Sequence, residues 1–359
     1  MHHARPRFML ALALLVPLFL LLGSCYLPEQ VSRYLGLRSR AIPVAKALAD
    51  PHTSPELKSF LERVAGIKAF GESSFGLRQT KSYRSIVMLD ADRLATVVSA
   101  CAELSFTTYE WNYPFVGKLP YRGYFDRHDA TAEAERLKKQ GYDVLARPVD
   151  AFSTLGWISD PLFSFMASYP EADVADTVLH EMTHATIWST GHDQFNEELA
   201  SFVGDEGSLL YLGSEYGEDS KQLASARADR DDADAFARWL KGTASELQTV
   251  YASTLPADQK RVQKARIIAE RAAAFVKAYD SLFHGPAYRD FPMDRLNNAY
   301  LDLYRLYAGE PELYRDFYVT VSGSSMKDFI SRVSHIVKKG GDPKVEMRRE
   351  IEAATPTGK

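Results

Sequence analysis

His180 and His184 stand four residues apart with Glu181 directly after the first, so the run Asp176-Thr177-Val178-Leu179-His180-Glu181-Met182-Thr183-His184-Ala185-Thr186-Ile187-Trp188 contains H-E-x-x-H. Side chains at that separation share one face of an α-helix. The spacing therefore predicts a helix, and Val178, Leu179, Ile187 and Trp188 give it an apolar side that must be buried. A solvent-facing His-Glu-His ladder has the same spacing but not these neighbours. Both imidazoles can reach one ion. Neutral imidazole nitrogen suits Zn²⁺, and a catalytic zinc takes three protein ligands and keeps a position open for water. Glu181 falls beside such an ion rather than on it. There it can take a proton from the bound water during attack on a carbonyl and pass it to a leaving amine.

A third ligand is expected shortly downstream. After the turn residues Ser189-Thr190-Gly191, the run Asn196-Glu197-Glu198-Leu199-Ala200-Ser201-Phe202-Val203-Gly204 reads as a second helix starting near Asn196. Glu197, in its first turn, is the expected ligand. Glu198 and His192 are the alternatives, and both glutamates could instead simply favour the positive end of that helix.

The first 25 residues differ in kind. Arg5 and Arg7 precede an apolar run from Phe8 to Leu22, and Gly23-Ser24-Cys25 follows. A positive start, a short apolar segment and small residues make a secretory signal, and about fifteen residues fall short of the roughly twenty that a membrane span needs. Leu22-Gly23-Ser24-Cys25 resembles the bacterial lipobox, which implies cleavage before Cys25 and acylation of its thiol. A lipid anchor holds the folded part on a membrane without crossing it. The expected location is the bacterial cell envelope, on the periplasmic face of the outer membrane if the cell is Gram-negative. Cleavage removes Arg5 and Arg7 and moves the formal charge from −4 to −6. That balance carries no basic footprint for nucleic acid. Cys101 would then be the only other thiol, with no disulfide partner.

Five segments are expected: a lipoprotein signal at 1–24, a tether at 25–52, an α+β lobe at 53–205 ending in the metal-binding helices, a helical lobe at 206–351 and a polar tail at 352–359. Ser54-Pro55-Glu56 marks a helix start, continued by Leu57, Phe60, Leu61, Val64 and Ile67 at helical spacing. Ile86-Val87-Met88, Ala95 to Val98, and Leu104 to Thr108 read as strands. Asp126 to Gln140 reads as helix, Tyr142 to Leu145 as strand and Ala151 to Trp157 as another extended piece. Two long amphipathic stretches, 227–255 and 258–283, break at Pro256 and suggest a helical hairpin.

The chain resembles a bacterial family of putative aminopeptidases, lipoprotein-like members of the zincin superfamily and its gluzincin branch. The resemblance runs through Cys25-Tyr26-Leu27, Ser82-Tyr83-Arg84-Ser85, Pro120-Tyr121-Arg122-Gly123-Tyr124-Phe125, Ser153-Thr154-Leu155-Gly156-Trp157, Asp160-Pro161-Leu162, the H-E-x-x-H helix, Phe195-Asn196-Glu197, Ala200-Ser201-Phe202-Val203 and Asn297-Asn298-Ala299. It implies an α+β, zincin-like fold, with a small mixed sheet next to the H-E-x-x-H helix and a mostly helical C-terminal half. It also implies one zinc ion on His180, His184 and Glu197, and peptide substrates. By analogy with other zincins, Ser153 to Trp157 would be the edge strand along the cleft, with Thr154 and Gly156 touching substrate; the alternative is an ordinary buried strand with a turn at Gly156. Tyr121, Arg122 and Tyr124 are candidates for substrate or oxyanion contacts. Two departures stand out: Glu197 comes only thirteen residues after His184, and Ser201 replaces the Asp with which thermolysin-like enzymes orient a His ligand. Asp205 is the carboxylate expected to take over that orientation.

No motif identifies an acidic group for a free amino terminus, so an endopeptidase with the same site remains a rival to an aminopeptidase. A non-catalytic zinc-binding envelope lipoprotein is the alternative of another class. Glu181 argues against it, because a general base has no structural duty.

Overall fold

The structure is a computed structural model that describes residues 26–113, 117–149, 160–306 and 309–355. Cys25, Thr154, Gly156 and the extended piece at 151–157 lie outside the described residues.

Residues 26–52, expected as a tether, carry folded structure. Helix α1 (Tyr26–Arg38) is followed by strand β1 (Ile42–Pro43) and helix α2 (Val44–Ala49). Ala47 is buried in the main core, and Leu37, Ile42, Val44 and Leu48 pack against it. The physical reason is apolar content: these side chains have a core to cover, and a free tether would leave them in water.

The Ser-Pro-Glu signal is realised in α3 (Pro55–Phe70), where the Ser54 hydroxyl caps the Leu57 N–H and Phe60, Leu61, Val64 and Ile67 form the buried stripe. Next come β2 (Ser85–Val87), β3 (Ala95–Ala102), β4 (Trp111–Tyr113), β5 (Gly117–Leu119), β6 (Tyr121–Tyr124), α4 (Arg127–Lys139), β7 (Tyr142–Val149) and β8 (Leu162–Phe163). The expected strand at 104–108 is a chain reversal instead. Asn298 Nδ2 donates to the carbonyls of Ala102, Glu103 and Ser105, and Lys264 Nζ donates to that of Glu103. Carbonyls taken by side chains in this way are not free for a ladder.

Three small sheets result among the described residues. One is mixed, with β2 antiparallel to β1 and parallel to β8. The second is antiparallel in the order β6-β3-β7, with Val97 opposite Gly123 and Ser99 opposite Leu145. The third is the β4-β5 hairpin.

All later elements are helical: α5 (Glu171–Thr186), α6 (Asp193–Tyr216), α7 (Lys221–Ala252), α8 (Ala257–Leu282), α9 (Asn298–Leu306), α10 (Pro311–Asp316), α11 (Met326–Lys339) and α12 (Pro343–Ala354). The fold is thus α+β and mostly helical. The hairpin at Pro256 is α7 against α8. No helix among the described residues is long and apolar enough to cross a membrane.

The lobe boundary expected at residue 205 falls inside the single helix α6. One main core joins α3, α5 and α6 with Tyr314, Phe317, Phe329 and Met347 from the C-terminal helices. The chain returns to α6 where Phe202 stacks with Tyr314, meets Tyr318 edge-on and packs at a tilt against Phe329. A second core fills the α7-α8 hairpin, and a third lies between α4 and the β6-β3-β7 sheet.

Candidate metal centre

Helix α5 has Glu171 and Asp173 in its first turn, where carboxylates favour the positive end of the helix. It buries Val174, Val178, Leu179 and Met182 in the main core. This seating turns His180 and His184 to the same side, with ring centroids 4.7 Å apart and Nε2 atoms 3.1 Å apart.

Helix α6 lies close against α5 because two glycines allow it. A Cβ on Gly204 would stand 2.8 Å from the Asp176 carbonyl oxygen and closer still to its carboxylate. One on Gly207 would stand 2.9 Å from both Leu179 and Phe75. The connection between the helices is tied shut by Asn196, whose 1 % exposed side chain accepts from Ser189 N–H at 2.8 Å and donates to Ser189 O at 2.9 Å. The helix starts at Asp193, a turn earlier than the sequence suggests, because Asn196 acts as this clasp and not as the first cap.

Glu197, next to the clasp, faces the histidines. Its carboxylate oxygens lie 3.7 Å from His180 Nε2 and 3.4 Å from His184 Nε2. The donor atoms of these three residues all fall within 4.8 Å of one another. The alternatives turn elsewhere. Glu198 pairs with Lys344 at 2.6 Å and accepts from the Tyr314 hydroxyl at 3.0 Å. His192 Nδ1 stays within its own turn, 3.1 Å from Ser189 Oγ.

The convergent set fits a zinc ion. Two imidazole nitrogens and a carboxylate are a catalytic donor set, and bonds of about 2.0–2.1 Å around a tetrahedral ion put neighbouring donors about 3.3 Å apart. The observed 3.1, 3.4 and 3.7 Å bracket that value.

The electrostatics suit a cation. Burial and the neighbouring His180 charge lower His184 to about 4, so it is neutral and ready to coordinate at pH 7. Burial also opposes charge on His180, but the facing Glu197 carboxylate and the charges of Glu181 and Asp176 outweigh it and raise its pKa. Glu197 is lowered chiefly by His180. Glu181 stands outside the convergent triad, and its charge acts on His180 and on the Tyr83 phenol.

Of the two carboxylates Asp176 and Asp205, the one whose charge acts on His180 is Asp176. Asp205 lies 3.6 Å from Arg230. Asp176 sits one helical turn before His180, and burial raises it to about 6 against the pull of that histidine. The four-residue spacing was visible in the sequence; the burial was not.

Tyr121 and Arg122 are not brought to this site. Arg122 stacks its guanidinium 3.8 Å above the Tyr26 ring and lies 3.8 Å from Glu133, on the β6-β3-β7 sheet. Tyr121 is exposed at the start of β6. Tyr124 is buried in the same cluster.

The tyrosine whose phenol feels the Glu181 charge is the buried Tyr83. Its φ of 65° is left-handed, a rare conformation for a bulky residue. The backbone is held there by its N–H on the Asp160 carbonyl at 2.8 Å and by Lys68 Nζ on the Ser82 carbonyl at 2.5 Å. Burial and then Glu181 push the Tyr83 phenol far above its ordinary range, so it remains a donor. Such strained residues cluster at functional sites. The sequence marked Ser82 to Ser85 as a sign of kinship, but spacing could not reveal the backbone conformation.

A sequence model described as putative aminopeptidase matches residues 25–347. The chain belongs to that family. The description suggests a peptidase among the hydrolases, and the match covers the triad, Glu181 and Tyr83. No curated protein and no solved structure matches.

Proposed function

We propose that this chain is a lipid-anchored, zinc-dependent metallopeptidase of the bacterial cell envelope, zincin-like in its site, with His180, His184 and Glu197 holding the ion. The observation that carries the reading is the convergence of those three side chains beside Glu181. Family membership supports peptide substrates.

Zinc, when bound, supplies Lewis-acid polarisation of an oxygen and eases ionisation of water. Glu181 accepts the proton as the water oxygen bonds to the peptide carbonyl carbon, and returns it to the amine nitrogen as the C–N bond breaks. The products are a free carboxylate and a free amine. Tyr83 donates its phenol hydrogen toward the carbonyl oxygen as negative charge grows there. Asn196 holds Glu197 in place by fixing the turn ahead of it. Acylated Cys25 would keep this machinery at the membrane.

Cleavage from the amino end is the reading that the family description favours. Glu198 is already paired with Lys344 and is not free to hold a substrate ammonium. Free and amino-acetylated versions of the same peptides distinguish the modes, since internal cutting of the acetylated set points to an endopeptidase. The test of the site itself compares Glu181→Gln with His184→Ala. The first should keep one zinc per chain by elemental analysis and lose hydrolysis by about 10²-fold or more, and the second should lose both. Hydrolysis that survives in Glu181→Gln would refute the mechanism.

A further inference from the structure

Helix α1 forms one wall of a pocket of about 510 Å³ whose other walls come from the segment before β3 and from the start of α4. Leu37, Leu89, Leu94 and Phe125 make its apolar lining, and arginines stand around it. Two of them are neutralised: Arg33 pairs with Glu29 at 2.9 Å, and Arg93 pairs with Asp92. The other two, Arg40 and Arg127, make no ion pair with a carboxylate among the described residues. Arg40 donates to the Met88 carbonyl at 3.0 Å. Asp92 also lines the pocket and its charge reaches Arg127, but an apolar lining with two guanidinium groups outside any ion pair among the described residues fits a ligand that is an anion at one end and hydrocarbon at the other. Guanidinium matches phosphate oxygens in pairs and is weakly hydrated enough to work at a greasy boundary.

The position of α1 says where such a ligand comes from. Tyr26, the residue after Cys25, is pinned to the fold: its hydroxyl donates to the Gly123 carbonyl, and its ring is stacked under Arg122. Further along, the Phe125 N–H donates to Gln30 and the Tyr34 hydroxyl donates to Asp160. No slack separates the anchor point from the body, and α1 spans about 20 Å from its start. Its outer face carries Val31 and Leu35, one turn apart and 55 % and 51 % exposed.

We propose that this pocket binds the headgroup of an anionic membrane phospholipid, with Arg40 and Arg127 on the phosphate and α1 lying against the bilayer. Basic pockets at a membrane face take up anionic headgroups in this way. The inference extends the lipid-anchored reading, while the pocket itself can be tested apart from it.

The experiment is native mass spectrometry of the full chain in neutral detergent, titrated with dioleoylphosphatidylglycerol, dioleoylphosphatidylcholine and inorganic phosphate. Phosphatidylglycerol should bind at least about tenfold more tightly than phosphatidylcholine. Arg40→Gln with Arg127→Gln, and separately the exposed charge reversal Arg127→Glu, should abolish that preference with circular dichroism unchanged. Equal binding of the two lipids, or a preference that outlasts both variants, overturns the proposal. Displacement of the lipid by phosphate at equal concentration overturns it as well, making a free anion the ligand. The same spectra weigh Cys25: an unacylated chain that still selects phosphatidylglycerol keeps the pocket and ends the anchor reading, and an acylated chain without selectivity ends the pocket alone.

Discussion

His180 Nε2 and His184 Nε2 lie 3.1 Å apart, with the Glu197 carboxylate facing both. Two imidazole lone pairs at that distance repel unless a cation or a shared proton lies between them. Without an ion, a proton held by His180 can bridge to His184, while the core contacts of α5 fix the two rings on one side.

A bound ion should therefore stabilise the fold. At a free concentration one hundred times its dissociation constant the gain is about 2.7 kcal/mol. Calorimetry should show a melting temperature that falls by a few degrees when zinc is removed with chelator, and His184→Ala should show no such change. An equal fall in both proteins would place the ion elsewhere.

Replacing Tyr83 by Phe deletes one hydroxyl and leaves the ring in its packing. If the phenol serves the oxygen that gains charge, kcat should drop by about 10²-fold with KM, zinc content and melting temperature close to the parent's. A variant with undiminished kcat would assign Tyr83 to packing alone.

Asp176 gives a pH dependence whose sign can be worked out. Its folded pKa is raised from the usual 3.8 to about 6, mainly by burial. The native state then holds more protons than the unfolded chain between those values, so this contribution is complete below 3.8 and is lost as pH rises through 6. Asp176→Asn should make the zinc-free protein more stable above pH 6, by on the order of 1 to 3 kcal/mol. The same change takes a negative charge from beside His180 and should weaken zinc binding by about 10- to 100-fold. Chemical denaturation at pH 4 and pH 7.5, with zinc titration of the same samples, checks both. A variant less stable than the parent at pH 7.5 would contradict the argument.

Gly204→Ala should separate α5 from α6, because the new methyl would press on the Asp176 carbonyl oxygen. Overpacking of this kind costs about 1–3 kcal/mol. Zinc affinity should fall with stability, since Glu197 rides on the displaced helix. Retained affinity in a destabilised variant would show that the two helices are not jointly responsible for the site.

Much of the site was legible because it is local. His180, Glu181 and His184 occupy one helix, and four-residue spacing puts two side chains on one face whatever the rest of the chain does. Glu197 follows after a short turn, so few paths of the chain could place it far away. The Ser54 cap, the long helical hairpin and the short strands at 85–87 and 95–102 are equally consequences of neighbouring residues.

What the tertiary structure alone decided depends on contacts between distant segments. Asp176 is buried beside His180 because Gly204 lets α6 press against it, while Asp205 was drawn toward Arg230. Arg122 went to Tyr26 and Glu133, far along the chain from the role its sequence neighbours suggested. Tyr83, whose phenol feels the Glu181 charge, has its left-handed backbone held by bonds to the distant Asp160 and, through Ser82, to Lys68. Residues 26–52 fold onto the core because the surface that buries them is assembled by helices up to three hundred residues later. A pattern read along the chain reports helical and strand periodicity, and which surfaces meet is settled by the packing of the whole.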